Sequence, residues 1–91
     1  MREYQGHRSW NAWNVSLYIN NEENLYRLVA EKYKEGLQVF SGDPEERKRK
    51  AISRTVAFMI RTLGGSRTPD GAKYNNLSIK LAVHDILDDY D

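Results

Sequence analysis

Apolar side chains fall into four runs with helical spacing, divided by polar clusters rich in Asn, Gly, Pro and Asp. In the first run Trp10, Trp13 and Leu17 recur at i, i+3 and i+7, and Val15, Tyr18 and Ile19 widen the stripe. Ser9 precedes it as an N-cap, so the spacing predicts a helix over roughly 10–19. Val15, Leu17 and Ile19 also alternate as a strand would, but the chain offers no second β-rich segment to pair with them. Asn20-Asn21 breaks the pattern. Asn21 followed by Glu22 and Glu23 then puts a capping side chain and two carboxylates at the positive end of a second helix. Leu25, Leu28, Val29 and Ala30, with Tyr26 and Tyr33, hold its period as far as Gly36, which predicts a left-handed C-terminal cap; Leu37, Val39 and Phe40 read as a short apolar connector.

Asp43-Pro44-Glu45-Glu46 is the clearest start signal. Asp serves as N-cap, Pro takes the first helical position where its missing N–H costs nothing, and acids fill the first turn. The third helix begins there, carries Ile52, Val56, Met59, Ile60 and Leu63 on one narrow stripe, and stops at Gly64-Gly65. Pro69-Asp70-Gly71 reads as a β-turn within a loop. Asn75 or Asn76 can cap a last helix, to which Leu77, Leu81, Ile86 and Leu87, with Ile79 and Val83, give a broad apolar face. The expected fold is all-α: a compact bundle of about four helices in one domain over 1–91, with an irregular arm over 1–9.

Composition fits that picture. The 91 residues are 40% hydrophobic and 30% charged, a globular composition and too short for a second core. There is no cysteine, which removes disulfides and thiolate metal sites and points to a reducing compartment, the cytoplasm. The opening Met1-Arg2-Glu3-Tyr4-Gln5-Gly6-His7-Arg8-Ser9 is too polar for a signal peptide, and no apolar run approaches the ~20 residues that cross a bilayer, so no membrane is expected.

The run Ser9-Trp10-Asn11-Ala12-Trp13-Asn14-Val15-Ser16-Leu17-Tyr18-Ile19-Asn20-Asn21-Glu22 resembles a signature in a family of small proteins encoded by phages, plasmids and other mobile elements. That signature has an aromatic, two variable residues, Trp, then Val, Leu, an aromatic and Asn-Asp/Glu. Trp10, Trp13, Val15, Leu17, Asn21 and Glu22 stand where it asks for them; Tyr18 replaces a more usual Trp, and Asn24 a common Gly. Trp and Leu at this spacing serve a core more often than a site. The resemblance implies genomic context. Small phage proteins of this kind often inhibit host defence, including CRISPR systems and restriction enzymes, and on that analogy an anti-CRISPR-like protein is expected.

Charge is nearly balanced, at +1 overall, but segregated along the chain. Arg47 to Lys73 holds eight Lys/Arg and one Asp, whereas Asp85 to Asp91 holds four Asp and no cation. At about 100° per residue, Arg47, Lys50, Arg54 and Arg61 fall within about 60° of one another, opposite the apolar stripe of the third helix. Lys48 and Arg49 lie nearer the apolar edges, where their stems cover the core boundary. A charged face keeps a helix soluble, but such faces usually mix Glu with Lys at i,i+4, and this one has no acid from Arg47 to Leu63. The carboxylates of Asp85, Asp88 and Asp89 oppose the dipole of the last helix and suit pairing with the basic ridge, within the monomer or across a homodimer, or with a partner's basic surface.

Catalytic constellations are missing. His7 and His84 share no metal-ligand spacing, and the Asp85/Asp88/Asp89 cluster lacks the spaced, Gly-containing loop that binds calcium. No serine stands in a nucleophile turn with a His nearby. Gly64-Gly65-Ser66-Arg67-Thr68 has the composition of a phosphate loop but follows a helix and lacks the Lys-Ser/Thr pair, so it reads as a helix stop and a loop. The expectation is therefore a non-enzymatic protein with no cofactor and no metal. Its binding residues are Arg47, Lys50, Arg54, Arg61, Asp85, Asp88 and Asp89, and its partner is a host protein or ribonucleoprotein complex. A small nucleic-acid-binding protein using the basic face of the third helix is the alternative, although cations at the start of a long core helix do not suit a helix-turn-helix.

Overall fold

Local chemistry sets where each helix starts and stops. In the computed structural model, which describes residues 10–88, four helices follow one another: α1 (Trp10–Asn21), α2 (Glu23–Val39), α3 (Pro44–Leu63) and α4 (Asn76–Asp88). The expected all-α bundle is what the chain forms. Asp43 caps α3 as its sequence requires, Oδ1 accepting from the Glu46 N–H at 2.8 Å, with Pro44 as the first helical residue. Gly64 closes α3, its N–H donating to the Ile60 carbonyl. Asn75 caps α4 in a reciprocal arrangement: its Oδ1 accepts from the Ser78 N–H at 2.8 Å, and its own N–H donates to Ser78 Oγ at 3.1 Å. The arm over 1–9 with His7, the Ser9 cap, and Asp89 in the acidic terminus lie outside the described residues.

Two boundaries differ from the sequence reading. The cap of α2 is Glu22, not Asn21. Asn21 still belongs to α1, whose ladder runs on to the Glu22 N–H, and the next ladder starts from the Glu22 carbonyl. One residue in extended conformation therefore turns the chain. Gly36 does not end α2 either, since the helix continues through it to Val39. A Cβ on Gly36 would lie 2.8 Å from Ala51 Cβ and 2.9 Å from Ala51 Cα, so glycine is required for close approach to α3, not for a left-handed cap.

That approach makes α2 and α3 an antiparallel pair, with Glu35 beside Arg54 and Lys32 over the Phe58 ring on one side of the Gly36–Ala51 crossing and Leu37 beside Arg47 on the other. On α3 the crossing is built from Ala51 and Thr55, and the buried Thr55 hydroxyl donates to the Ala51 carbonyl at 2.8 Å, so no donor is stranded. Helix α4 packs on both α3 and α1. The core gathers Val15 and Ile19 from α1, Val29 and Tyr33 from α2, Ile52 and Met59 from α3, and Ile79, Val83, Ile86 and Leu87 from α4.

The first helix buries a different stripe from the one its aromatics suggest. Ala12, Val15, Ser16 and Ile19 face the core, while Trp10 is 40% exposed, Leu17 37% exposed and Trp13 only half-buried. Trp10 and Ala12 stand about 200° apart on the helix, so the two stripes are nearly opposite faces. Both are apolar, and periodicity cannot choose between them. Among the described residues, no helix is long and apolar enough to cross a membrane.

Candidate binding surfaces

Between α3 and α4 the chain forms a short hairpin instead of a slack loop. Arg67 and Lys73 pair across an antiparallel bridge, the Tyr74 N–H donates to the Ser66 carbonyl at 3.0 Å, and the Thr68 N–H donates to the Ala72 carbonyl at 2.8 Å. The turn at its tip is the one that Pro69-Asp70-Gly71 predicts: the Gly71 N–H donates to the Thr68 carbonyl and Gly71 takes φ of 96°.

Two asparagines of α1 hold this hairpin. The Asn11 amide makes a matched pair with the Lys73 backbone, Nδ2 donating to the carbonyl at 2.9 Å and Oδ1 accepting from the N–H at 2.7 Å, as a neighbouring strand would. One turn on, the buried Asn14 accepts from the Thr68 hydroxyl at 2.6 Å and donates to Asp70 Oδ2 at 3.0 Å, while Thr68 Oγ1 in turn accepts from the Ala72 N–H. Loss of hydration, then the nearby Asp70 carboxylate, raise the Tyr18 phenol above its ordinary value, and burial followed by the charge of Glu22 does the same to Tyr74. Ser78 Oγ, donating to the Lys73 carbonyl at 3.0 Å, ties the hairpin to the start of α4. Asn11 and Asn14 therefore have structural roles in the middle of the aromatic signature, and their low helix propensity was the available sign that they do something besides forming a helix.

The four cations of the ridge have different surroundings. Arg47 is half-buried and donates Nη2 to the Leu37 carbonyl at 2.7 Å, capping the last turn of α2. Lys50 pairs with Glu46 at 3.2 Å and Arg54 with Glu35 of α2 at 3.4 Å. The acids that the sequence lacks between Arg47 and Leu63 are thus supplied from one residue upstream and from the neighbouring helix. Such exposed pairs contribute at most about 1 kcal/mol each. Arg54 and Arg61 share a groove of about 360 Å³ between α2 and α3 with Lys32, Ala57 and Phe58, and the Lys32 ammonium lies 4.4 Å from the Phe58 ring centre.

The acidic end stands apart from that groove. Asp88 lines a separate cleft of about 240 Å³ with His84, Glu45, Lys48 and Arg49, at the start of α3. Among the described residues no ion pair joins Asp85 or Asp88 to Arg47, Lys50, Arg54 or Arg61. Because α3 and α4 run antiparallel, the end of α4 meets the start of α3 and the start of α4 meets the end of α3. At that second end opens a cleft of about 860 Å³ between Ile60, residues 64–67, residues 73–75 and the first residues of α4, with Arg67 and Lys73 as its charged residues. Lys32, Arg67 and Lys73 were not among the sequence candidates, because they come from other elements than the ridge helix. Among the described residues no group of His and acidic side chains is placed to hold a metal ion.

These features define a small four-helix protein with a clamped hairpin, cationic along one side and at one end. Over residues 1–91 the chain belongs to a family of unknown function, DUF7249. No curated protein and no solved structure matches it.

Proposed function

We propose that the protein is a non-enzymatic binding protein of a phage or other mobile element that inhibits a host defence complex, of CRISPR or restriction type, by occluding one of its surfaces. The observation that carries the contact is the groove between α2 and α3, where Arg54 and Arg61 meet Lys32 and the Phe58 ring. Cations beside an aromatic face suit an acidic surface on a protein or ribonucleoprotein, since interfaces favour Arg and aromatic anchors. The resemblance of Ser9 to Glu22 supplies the biological setting. The test is plating of a targeted phage on a host that carries a defence system and expresses the protein. Plating is expected to rise towards that on an undefended host, and the Arg54→Ala/Arg61→Ala variant should lose the effect while keeping its thermal stability. Full restriction across CRISPR and restriction hosts expressing the folded protein would sink the proposal.

The alternative, direct binding of nucleic acid, gains from one observation: besides the groove with Arg54 and Arg61, a second cleft at the end of α3 carries Arg67 and Lys73. A gel shift at low salt separates the two readings. Retardation of DNA or RNA that weakens steeply with added salt favours the alternative, and no retardation removes it.

A further inference from the structure

We infer that the cleft between the hairpin and the start of α4 binds a phosphate ester, with Arg67 and Lys73 as its anion-holding pair. This stands independently of the defence reading. Arg67 and Lys73 face each other across the hairpin's antiparallel bridge and both line the cleft. Like charges directly opposed on such a pair repel and destabilise it, so the arrangement is unfavourable on its own and becomes favourable with an anion between them. No carboxylate lines this cleft to neutralise them, in contrast to the cleft at the other end, which contains Glu45 and Asp88.

The pair is also held in place. Asn11 grips both backbone groups of Lys73, and the Tyr74–Ser66 and Thr68–Ala72 hydrogen bonds fix the two arms of the hairpin. Arg67 spends one contact on its own turn, Nη1 donating to the Gly71 carbonyl at 3.0 Å, which orients the guanidinium and leaves its remaining donors for a ligand. The rest of the wall is divided by chemistry. Ser66 and Asn75 offer polar groups, while Tyr74 and the 52% exposed Leu77 offer an apolar flank. At about 860 Å³ the cleft falls within the roughly 300–1,000 Å³ of small-molecule sites and exceeds what an inorganic ion fills. Its ligand is therefore a phosphate with an organic portion, a nucleotide monoester or one nucleotide unit of a strand.

The experiment is amide-resolved NMR of the full chain at constant ionic strength, titrated with inorganic phosphate, with adenosine monophosphate and with a short single-stranded oligonucleotide lacking a terminal phosphate, against a chloride control. Saturable shifts are expected over residues 64–77, with affinity for adenosine monophosphate or the oligonucleotide above that for phosphate alone. Tighter binding of the monophosphate identifies a monoester ligand, and tighter binding of the oligonucleotide a strand. Arg67→Ala/Lys73→Ala should weaken binding about tenfold or more, as expected for a lost charge-assisted contact. Lys73→Gln, which keeps the stem and the clamped backbone, should weaken it less and leave the spectrum otherwise unchanged. Shifts no larger than those from chloride, shifts spread equally over Arg49, Arg61 and Lys80, or unaltered binding by folded Lys73→Gln would each overturn the site.

Discussion

The α2–α3 pair and the contact between α1 and the hairpin hold the molecule by opposite means. Between α2 and α3 two backbones come close because Gly36 and Ala51 present almost nothing between them, and the surrounding stabilisation is apolar burial. Between α1 and the hairpin the adhesive is amide and hydroxyl groups, with Asn14 buried and both it and Asn11 bonded at each end of the amide. The first contact fails when volume is added, and the second when a polar partner is removed. Apolar spacing in a sequence speaks to the first kind and is silent on the second.

The largest expected effect comes from adding volume at the helix crossing. Gly36→Val puts carbon into space already filled by Ala51 backbone, and overpacking should cost about 3 kcal/mol, lowering the melting temperature by roughly 15 °C. A variant that melts with the wild type would show that α2 and α3 separate freely, erasing the contrast. Next is Asn14→Ala, which strands the buried Thr68 hydroxyl and should cost about 2 kcal/mol by chemical denaturation. Combined with Thr68→Val it should cost clearly less than the sum of the two single changes, because the partners are lost together. Additivity there would mean that the network is not a unit.

A smaller loss, about 1 kcal/mol, is expected for Asp43→Ala, which removes the α3 cap without touching the crossing or the clamp. Its effect should add to that of Asn14→Ala, since the two sites share no partner. The smallest effect is with pH. The folded state raises the Tyr18 phenol above 10.0, so it binds that proton more tightly than the unfolded chain does. The resulting stability is fully present below about pH 10 and is lost as pH rises through the folded value. Tyr18→Phe should therefore flatten the alkaline fall in melting temperature relative to wild type, and parallel curves between pH 8 and 11 would show that the Tyr18 phenol is not perturbed by the fold.

Helix existence was legible because each run joins a 3.6-residue period to punctuation with a physical cause, such as Asp43-Pro44 at a start or Gly64 at a stop. Two features were not. Gly36 has the same letter whether it ends a helix or lets another approach, and only the position of Ala51 decides. In α1, two apolar stripes about 200° apart compete, and Trp10 and Leu17 lost to Ala12, Val15 and Ile19 because α4 packs on the other side. At the candidate site, Arg54 and Arg61 could be placed on one face by helical geometry alone. The acids beside the ridge, Glu46 and Glu35, could not be paired with it, the second because it comes from another helix.

By itself, the sequence determined the number and type of the helices, the caps of α3, the turn at Pro69-Asp70-Gly71 and the cationic back of α3, since all of these follow from the period of a helix and the preferences of single residues for their immediate backbone. The tertiary structure alone decided which face of α1 is buried, that Asn11 and Asn14 clamp the hairpin, that the acidic end lies beside Lys48 and Arg49 instead of the groove, and that Arg67 and Lys73 share a cleft. Each of those facts is a relation between residues distant in sequence, and it is fixed by which surfaces exclude water together once the helices pack.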